Sequence, residues 1–230
     1  KERNGKMMRK LMTGIMMMLC MLPMMVCAEG PEVTEKSFIE FTGEDTAYFF
    51  AKIENNGTEP ISLGSGKLVG FSENDDLLIT EEYISTLPSY ISLAPGEHVY
   101  AREFIWDTVL GASDVADYKF SMETRDNGDE VSMIDCEVQK EFNGNYDNYI
   151  VVTFTNDSEE ILYDFYVTTV LHDDAGNLIF ANGDSASTIG LHPGSTISLK
   201  MYVDSDFFNY YTEKGINIGE AEAQVFAIKE

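Results

Sequence analysis

Apolar and polar residues alternate with a period of two over much of the chain. In "TISLKMYV" (196–203), Ile197, Leu199, Met201 and Val203 alternate with Ser198, Lys200 and Tyr202. One face of such a segment is buried and the other wet, as in an antiparallel strand. Tyr149 to Thr155 and Phe165 to Leu171 are rich in Val, Ile, Thr, Tyr and Phe, and clusters of Asn, Asp, Gly and Pro bound them, which predicts short strands joined by turns. "LHDDAGNLI" (171–179) predicts a hairpin, with Asp174 and Gly176 at its turn and apolar strands on both sides. The alternation breaks at "DSDFFNYYTEKG" (204–215). There Asp204 or Ser205 can cap a short helix that carries Phe207, Phe208 and Tyr211 on one face.

The pattern occurs twice. Glu40-Phe41-Thr42-Gly43 aligns with Glu141-Phe142-Asn143-Gly144 at an offset of 101, and the same offset carries "AYFFAKIENNG" onto "NYIVVTFTNDS". Asn55-Asn56 thereby falls over Asn156-Asp157. Leu78-Ile79 matches Leu178-Ile179 at 100, and Pro95-Gly96 of "LAPGE" matches Pro193-Gly194 of "LHPGS" at 98. At the ends, "DYKFSMET" from Asp117 lies over "AQVFAIKE" from Ala223. The drift places insertions in loops, and a tandem duplication follows. Each unit holds about six or seven short strands in roughly 95 residues, the density of an immunoglobulin-like sandwich. The Cys, Trp, Cys pattern of antibody domains is missing, so that likeness is architectural. The expected fold is all-β: two tandem immunoglobulin-like antiparallel β-sandwiches after an N-terminal signal peptide. Their bounds are 1–28 for the signal, 29–125 for the first repeat, 126–130 for a polar linker and 131–230 for the second repeat.

The signal is read from the start of the chain. Lys1, Arg3, Lys6, Arg9 and Lys10 precede an apolar run from Leu11 to Leu22, then Pro23 and a Val26-Cys27-Ala28 end, which is the order of a secretory leader cleaved after Ala28. A membrane anchor needs about 18 apolar residues, and this run reaches that length only through Pro23. Cleavage leaves Cys136 as the one cysteine, in an apparent strand where a buried small side chain is expected. Lipid anchoring asks for a small residue before the modified Cys, whereas Leu19 and Val26 precede Cys20 and Cys27.

Charge narrows the partners. Five of the 15 basic residues and one of the 40 acidic ones lie in 1–28, leaving 10 basic against 39 acidic. A field of that sign repels nucleic acid and anionic lipid. Its ordinary role is solubility. The sharper use is cation binding, with candidates at Glu73-Asn74-Asp75-Asp76 and at Asp173, Asp174 and Asn177, although neither follows the helix-loop-helix calcium pattern.

"NDSEEILYDFYVTTVLHDDAGNLI", followed by "LHPGSTISL", resembles the FxLYD domain, a small β-sandwich module of exported bacterial proteins. That family has a polar Asn-containing turn, a strand ending in Phe-x-Leu-Tyr-Asp, a turn with Gly and a later Pro-Gly turn. Leu171 and Asp173 hold the Leu and Asp positions, while Thr169 stands for the Phe and His172 for the Tyr. The resemblance covers residues 149–205. It implies a module of the envelope or the exterior without a catalytic role.

Reactive constellations are sparse. His98 and His192 flank the Pro-Gly turns and His172 begins the hairpin turn, which is no zinc pattern. No Gly-x-Ser-x-Gly elbow, phosphate loop or His-Glu-x-x-His stretch occurs. No enzyme activity and no resident cofactor are therefore expected. The remaining candidates are aromatic: Phe207, Phe208, Tyr210 and Tyr211, with Trp106 in "FIWDTVLG" as their first-unit counterpart. They serve either as core beneath a helix or as an exposed platform for sugar rings or a peptide. The expected function is that of an exported binding or spacer module at the bacterial envelope or outside the cell, with a protein or glycan ligand. The alternative is a calcium-dependent or lipid-anchored envelope protein that uses its acidic turns.

Overall fold

The computed structural model describes residues 30–41, 46–106, 115–143, 147–186 and 190–228. The leader expected over 1–28 lies outside them. In chain order the first half holds β1 (Pro31–Phe41), β2 (Thr46–Asn55), β3 (Ile61–Phe71), β4 (Leu77–Ile84), β5 (Thr86–Leu87), β6 (Ser92–Leu93), β7 (His98–Trp106) and β8 (Asp117–Arg125). The second holds β9 (Val131–Ile134), β10 (Cys136–Phe142), β11 (Asn148–Thr155), β12 (Phe165–Asp173), β13 (Leu178–Ser185), β14 (Thr196–Tyr202), α1 (Ser205–Lys214) and β15 (Ile218–Ile228). The protein is all-β with one short helix, and every strand pairing in its sheets is antiparallel.

Sheet orders recur between the halves. The order β1-β2-β7, extended by β5, reappears as β10-β11-β14; β3 between β4 and β8 reappears as β12 between β13 and β15. The duplicated Pro-Gly turns share one device. Asn55 and Asn156 are fully buried. The Asn55 side-chain amide donates to the carbonyls of Glu59 and Leu93, both at 2.9 Å, and Asn156 donates to those of Glu160 at 2.8 Å and Leu191 at 2.7 Å. The Gly96 N–H donates to the Asn55 carbonyl and the Gly194 N–H to that of Asn156, each at 2.7 Å. Gly96 and Gly194 have φ of 83° and 71°, a left-handed region that a side chain disfavours. Each turn is thus pinned to the end of a neighbouring strand by one buried amide.

The halves are not two beads. Phe49, Ala51 and Ile53 of β2 pack with Leu63, Leu68 and Ile79 inside the first half, while Phe50 on the opposite face joins a core with Phe180 and Phe207 of the second. β2 is therefore covered on both faces, in keeping with the unbroken apolar run from Ala47 to Ala51. The cover is the sheet β13-β12-β15-β9. Thr168 Oγ1 donates to the Leu87 carbonyl at 2.7 Å, Gln224 Nε2 donates to the His98 carbonyl at 2.9 Å, and Tyr100 hydrogen-bonds Glu222. The connecting segment is also tied down: the Asp129 N–H donates to the Tyr90 carbonyl at 2.8 Å, and the Ser92 N–H donates to the Asp129 carbonyl at 3.0 Å. Away from this interface, β10-β11-β14 turns a polar outer face to solvent. Thr153 meets Ser198 at 2.7 Å, Thr155 meets Thr196 at 2.8 Å, and Lys200 pairs with Glu141 at 2.6 Å.

His98 makes the interface sensitive to pH. Burial pushes its imidazole below the ordinary 6.5, and Lys52 adds to this against the weaker pull of Glu222, Glu54 and Glu35. The folded state then binds this proton less readily than the unfolded chain. The contribution is whole above pH 6.5 and is lost as pH falls through that value towards the lower folded one. In urea titrations between about pH 7.5 and 5.5, the wild-type midpoint should fall more steeply than that of His98→Gln. Equal slopes would refute the assignment.

Candidate functional site

β9 is the outer strand of β13-β12-β15-β9. One of its edges pairs with β15, placing Ile134 opposite Val225, Met133 opposite Phe226 and Ser132 opposite Ala227. Beside it runs a groove of about 1010 Å³, walled on the far side by the connection from Asn156 to Asp164. The two halves differ here. In the first, only residues 56–60 separate β2 from β3, and Ser62 and Leu63 already pair with Arg125 and Thr124 of β8. At the offset of 101 their counterparts are Tyr163 and Asp164, which precede the start of β12 at Phe165. Leu162 bridges to Leu191 through mutual backbone hydrogen bonds of 3.0 and 2.8 Å. The longer connection runs clear of the sheet, and the groove is the space it leaves.

The lining combines two chemistries. Met133, with 50% of its surface exposed, and Tyr163, with 60% exposed, offer apolar surface beside half-buried Ile134 and Ile161. Asp135, Asp157, Glu160 and Asp164 supply negative charge, and the lining contains no Lys, Arg or His. Among the described residues, none of these four carboxylates forms a hydrogen bond or an ion pair. The Ser158 hydroxyl donates to Asn156 Oδ1 at 2.7 Å and to the Glu160 carbonyl at 3.0 Å. Among the described residues the site offers an unpaired strand edge, apolar footholds and anionic charge, and no pairing of a nucleophile with a base.

The aromatic candidates lie elsewhere. Asp204 caps α1 by accepting from the Asp206 N–H at 3.1 Å, and Gly215 ends it with φ of 67°. Phe207 and Tyr211 are each 2% exposed. Phe207 meets the rings of Tyr48 at 4.9 Å, Phe180 at 5.1 Å and Phe41 at 5.2 Å between centroids. The Tyr211 hydroxyl donates to the Ile179 carbonyl at 2.8 Å, and burial raises its pKa well above the ordinary value. Phe208 packs on Phe142 at 4.9 Å, and Tyr210 on Phe41 at 5.9 Å. Trp106 is 68% exposed at the end of β7, edge-on to Phe104, which leans on Tyr48. A run of rings thus links Trp106 to Phe207, with Trp106 at its wet end.

The acidic turn is closed by its own backbone. Asp173 Oδ1 accepts from the N–H groups of Ala175 at 2.9 Å and Asn177 at 2.8 Å, while Oδ2 accepts from Asn177 Nδ2 at 2.8 Å. Desolvation opposes ionisation there, but hydrogen bonds from Asn177, Ala175 and Gly176 outweigh it and hold the carboxyl below its usual range. Asp174 is exposed beside it. No group of three or more His, Cys, Asp or Glu side chains is placed to hold a metal among the described residues. His172 instead reaches across the interface, with Nε2 3.1 Å from Glu35 Oε2, and His192 is exposed. Cys136 is half-buried; burial and then the nearby Asp135 push its thiol up, and Sγ donates to the Ala223 carbonyl at 3.5 Å.

Sequence reasoning passed over the groove because its residues carry no motif. The sequence holds no signal for it, since residues 158–163 between "FTND" and "DFYV" are as many as residues 57–62 at the same place in the first half. No protein-family model matches the chain, and no curated protein is similar to it.

Proposed function

We propose that the chain is an exported, non-enzymatic binding module of the bacterial envelope or exterior that receives a protein ligand in the groove beside β9. On this reading it consists of two tandem immunoglobulin-like sandwiches of the FxLYD type after a cleaved leader. The repeated sheet order and the repeated Asn-anchored Pro-Gly turn support the duplication. The observation that carries the function is the groove itself: an outer strand whose second edge pairs with none of the described residues, beside exposed Met133 and Tyr163. Such an edge supplies main-chain donors and acceptors to a polypeptide, which a glycan does not match in register.

Export and binding are tested separately. Expressed in a bacterial host with its own N-terminus, the chain should appear in the exported fraction beginning at Glu29. Cytoplasmic retention with residues 1–28 intact would refute export. For binding, a random peptide library without charge bias is panned on the folded chain. The selected peptides should lose affinity for Tyr163→Ser, whose exposed ring the core does not need. Peptides indifferent to that change would overturn the groove as the site.

A further inference from the structure

We infer that the occupant of the groove is a cationic, extended segment of a protein partner, laid along β9 as a fifth strand of the β13-β12-β15-β9 sheet. This rests on the protein-binding reading of the groove and names the class of ligand. An unpaired sheet edge is a template for another strand, and natural proteins usually blunt it with Lys, Pro, a bulge or a covering loop. β9 is short, which is itself one such device, but it carries no Lys, Pro or bulge: it is Val131-Ser132-Met133-Ile134, and the groove separates it from the nearest connection. Its four residues span about 13 Å at roughly 3.3 Å per residue, enough to pair a short segment in register.

The side chains of an added strand alternate between two directions. Apolar ones would find Met133, Ile161 and Tyr163. The others would meet Asp157, Glu160 and Asp164, and the lining holds no cation for these or for Asp135. Charge complementarity selects Lys or Arg for those positions, and it steers encounter as well as fixing register. It also argues against a second copy of this chain, whose formal charge of −25 would bring like charge to the groove.

The test uses the full folded chain and fluorescein-labelled octapeptides that alternate valine with lysine, with serine or with glutamate, together with a Lys-Val peptide N-methylated at every second amide. By anisotropy at about 50 mM salt, the Lys-Val peptide should bind at least about tenfold more tightly than Ser-Val, and Glu-Val should not bind. Raising the salt to about 300 mM should close most of that gap. Asp157→Asn with Glu160→Gln should weaken Lys-Val several-fold and leave Ser-Val unchanged. The control pair Asp75→Asn with Asp76→Asn changes net charge equally but lies in the turn between β3 and β4, and it should have no such effect. Equal loss from both pairs would mean diffuse attraction to an acidic surface and would overturn the inference. Undiminished binding of the N-methylated peptide would overturn strand addition. Equal affinity of Lys-Val and Ser-Val, both sensitive to Tyr163→Ser, would overturn the cationic occupant and leave the groove standing as a protein site. Failure of every probe, with no peptide selected by panning, would remove both.

Discussion

Phe207→Ala is expected to destabilise the whole chain by about 3–5 kcal/mol, the range for removing a buried aromatic ring from a core that relaxes only partly. The ring is 2% exposed and is surrounded by Phe41, Tyr48 and Phe50 from the first half and by Phe180 and Tyr211 from the second. Its loss opens a cavity between the halves as well as within one of them. Urea unfolding can be followed by far-UV circular dichroism and by the fluorescence of Trp106, the one tryptophan, which lies in the first half. Both transitions should shift together, because the change in the second half withdraws support from β2. A Trp106 transition that stays in place while the dichroism shifts would show that the halves unfold independently.

Asn156→Ala is expected to cost about 2–4 kcal/mol. Alanine deprives the carbonyls of Glu160 and Leu191 of their donor, and the Ser158 N–H and hydroxyl lose the Oδ1 acceptor at 3.0 and 2.7 Å. Buried polar groups left without partners carry their full desolvation cost, so the loss exceeds that of an ordinary exposed hydrogen bond. Asn55→Ala should behave alike, since that side chain meets Glu59, Leu93 and Gly57 in the same manner. Denaturant midpoints measure both, and a loss below about 1 kcal/mol in either would refute the buried amide as the anchor of the turn. Asn156 also shapes the far wall of the groove, so its alanine variant should weaken peptide binding in proportion to the disorder of residues 156–164.

The strands and the turns between them were legible because both rest on local chemistry: alternation in β14, turn residues at Asp174 and Gly176, and the two Pro-Gly turns. Ring-bearing α1 was legible as a capped helix with Phe207, Phe208 and Tyr211 on one face. What those rings pack against was not, since it depends on a sheet more than a hundred residues earlier in the chain. The double burial of β2 had a faint trace in the unbroken run from Ala47 to Ala51, which differs from the alternation that a half-wet strand shows. Register in the last strands was misjudged. Tyr118 lies opposite Gly70 and Ala221 opposite Leu171, so these strands correspond at 103, whereas matching "DYKFSMET" to "AQVFAIKE" implies 106. Short β sequences resemble one another at several offsets, and only backbone pairing chooses among them. The groove could not be read at all, because an unused edge is defined by what does not pair with it.

The polar ladder on β10-β11-β14 limits what can stack on that sheet. The two halves dock by the covered face of β2 and β7, and β10-β11-β14 presents Thr153, Ser198, Lys200 and Glu141 to water. A further unit would find a polar face on that sheet where β2 offers Phe50 to the second half. Solenoids grow because each repeat exposes what the next one covers. On β10-β11-β14 the exposed face does not repeat the one that β2 gives to its neighbour, and the two halves cover each other within a single chain.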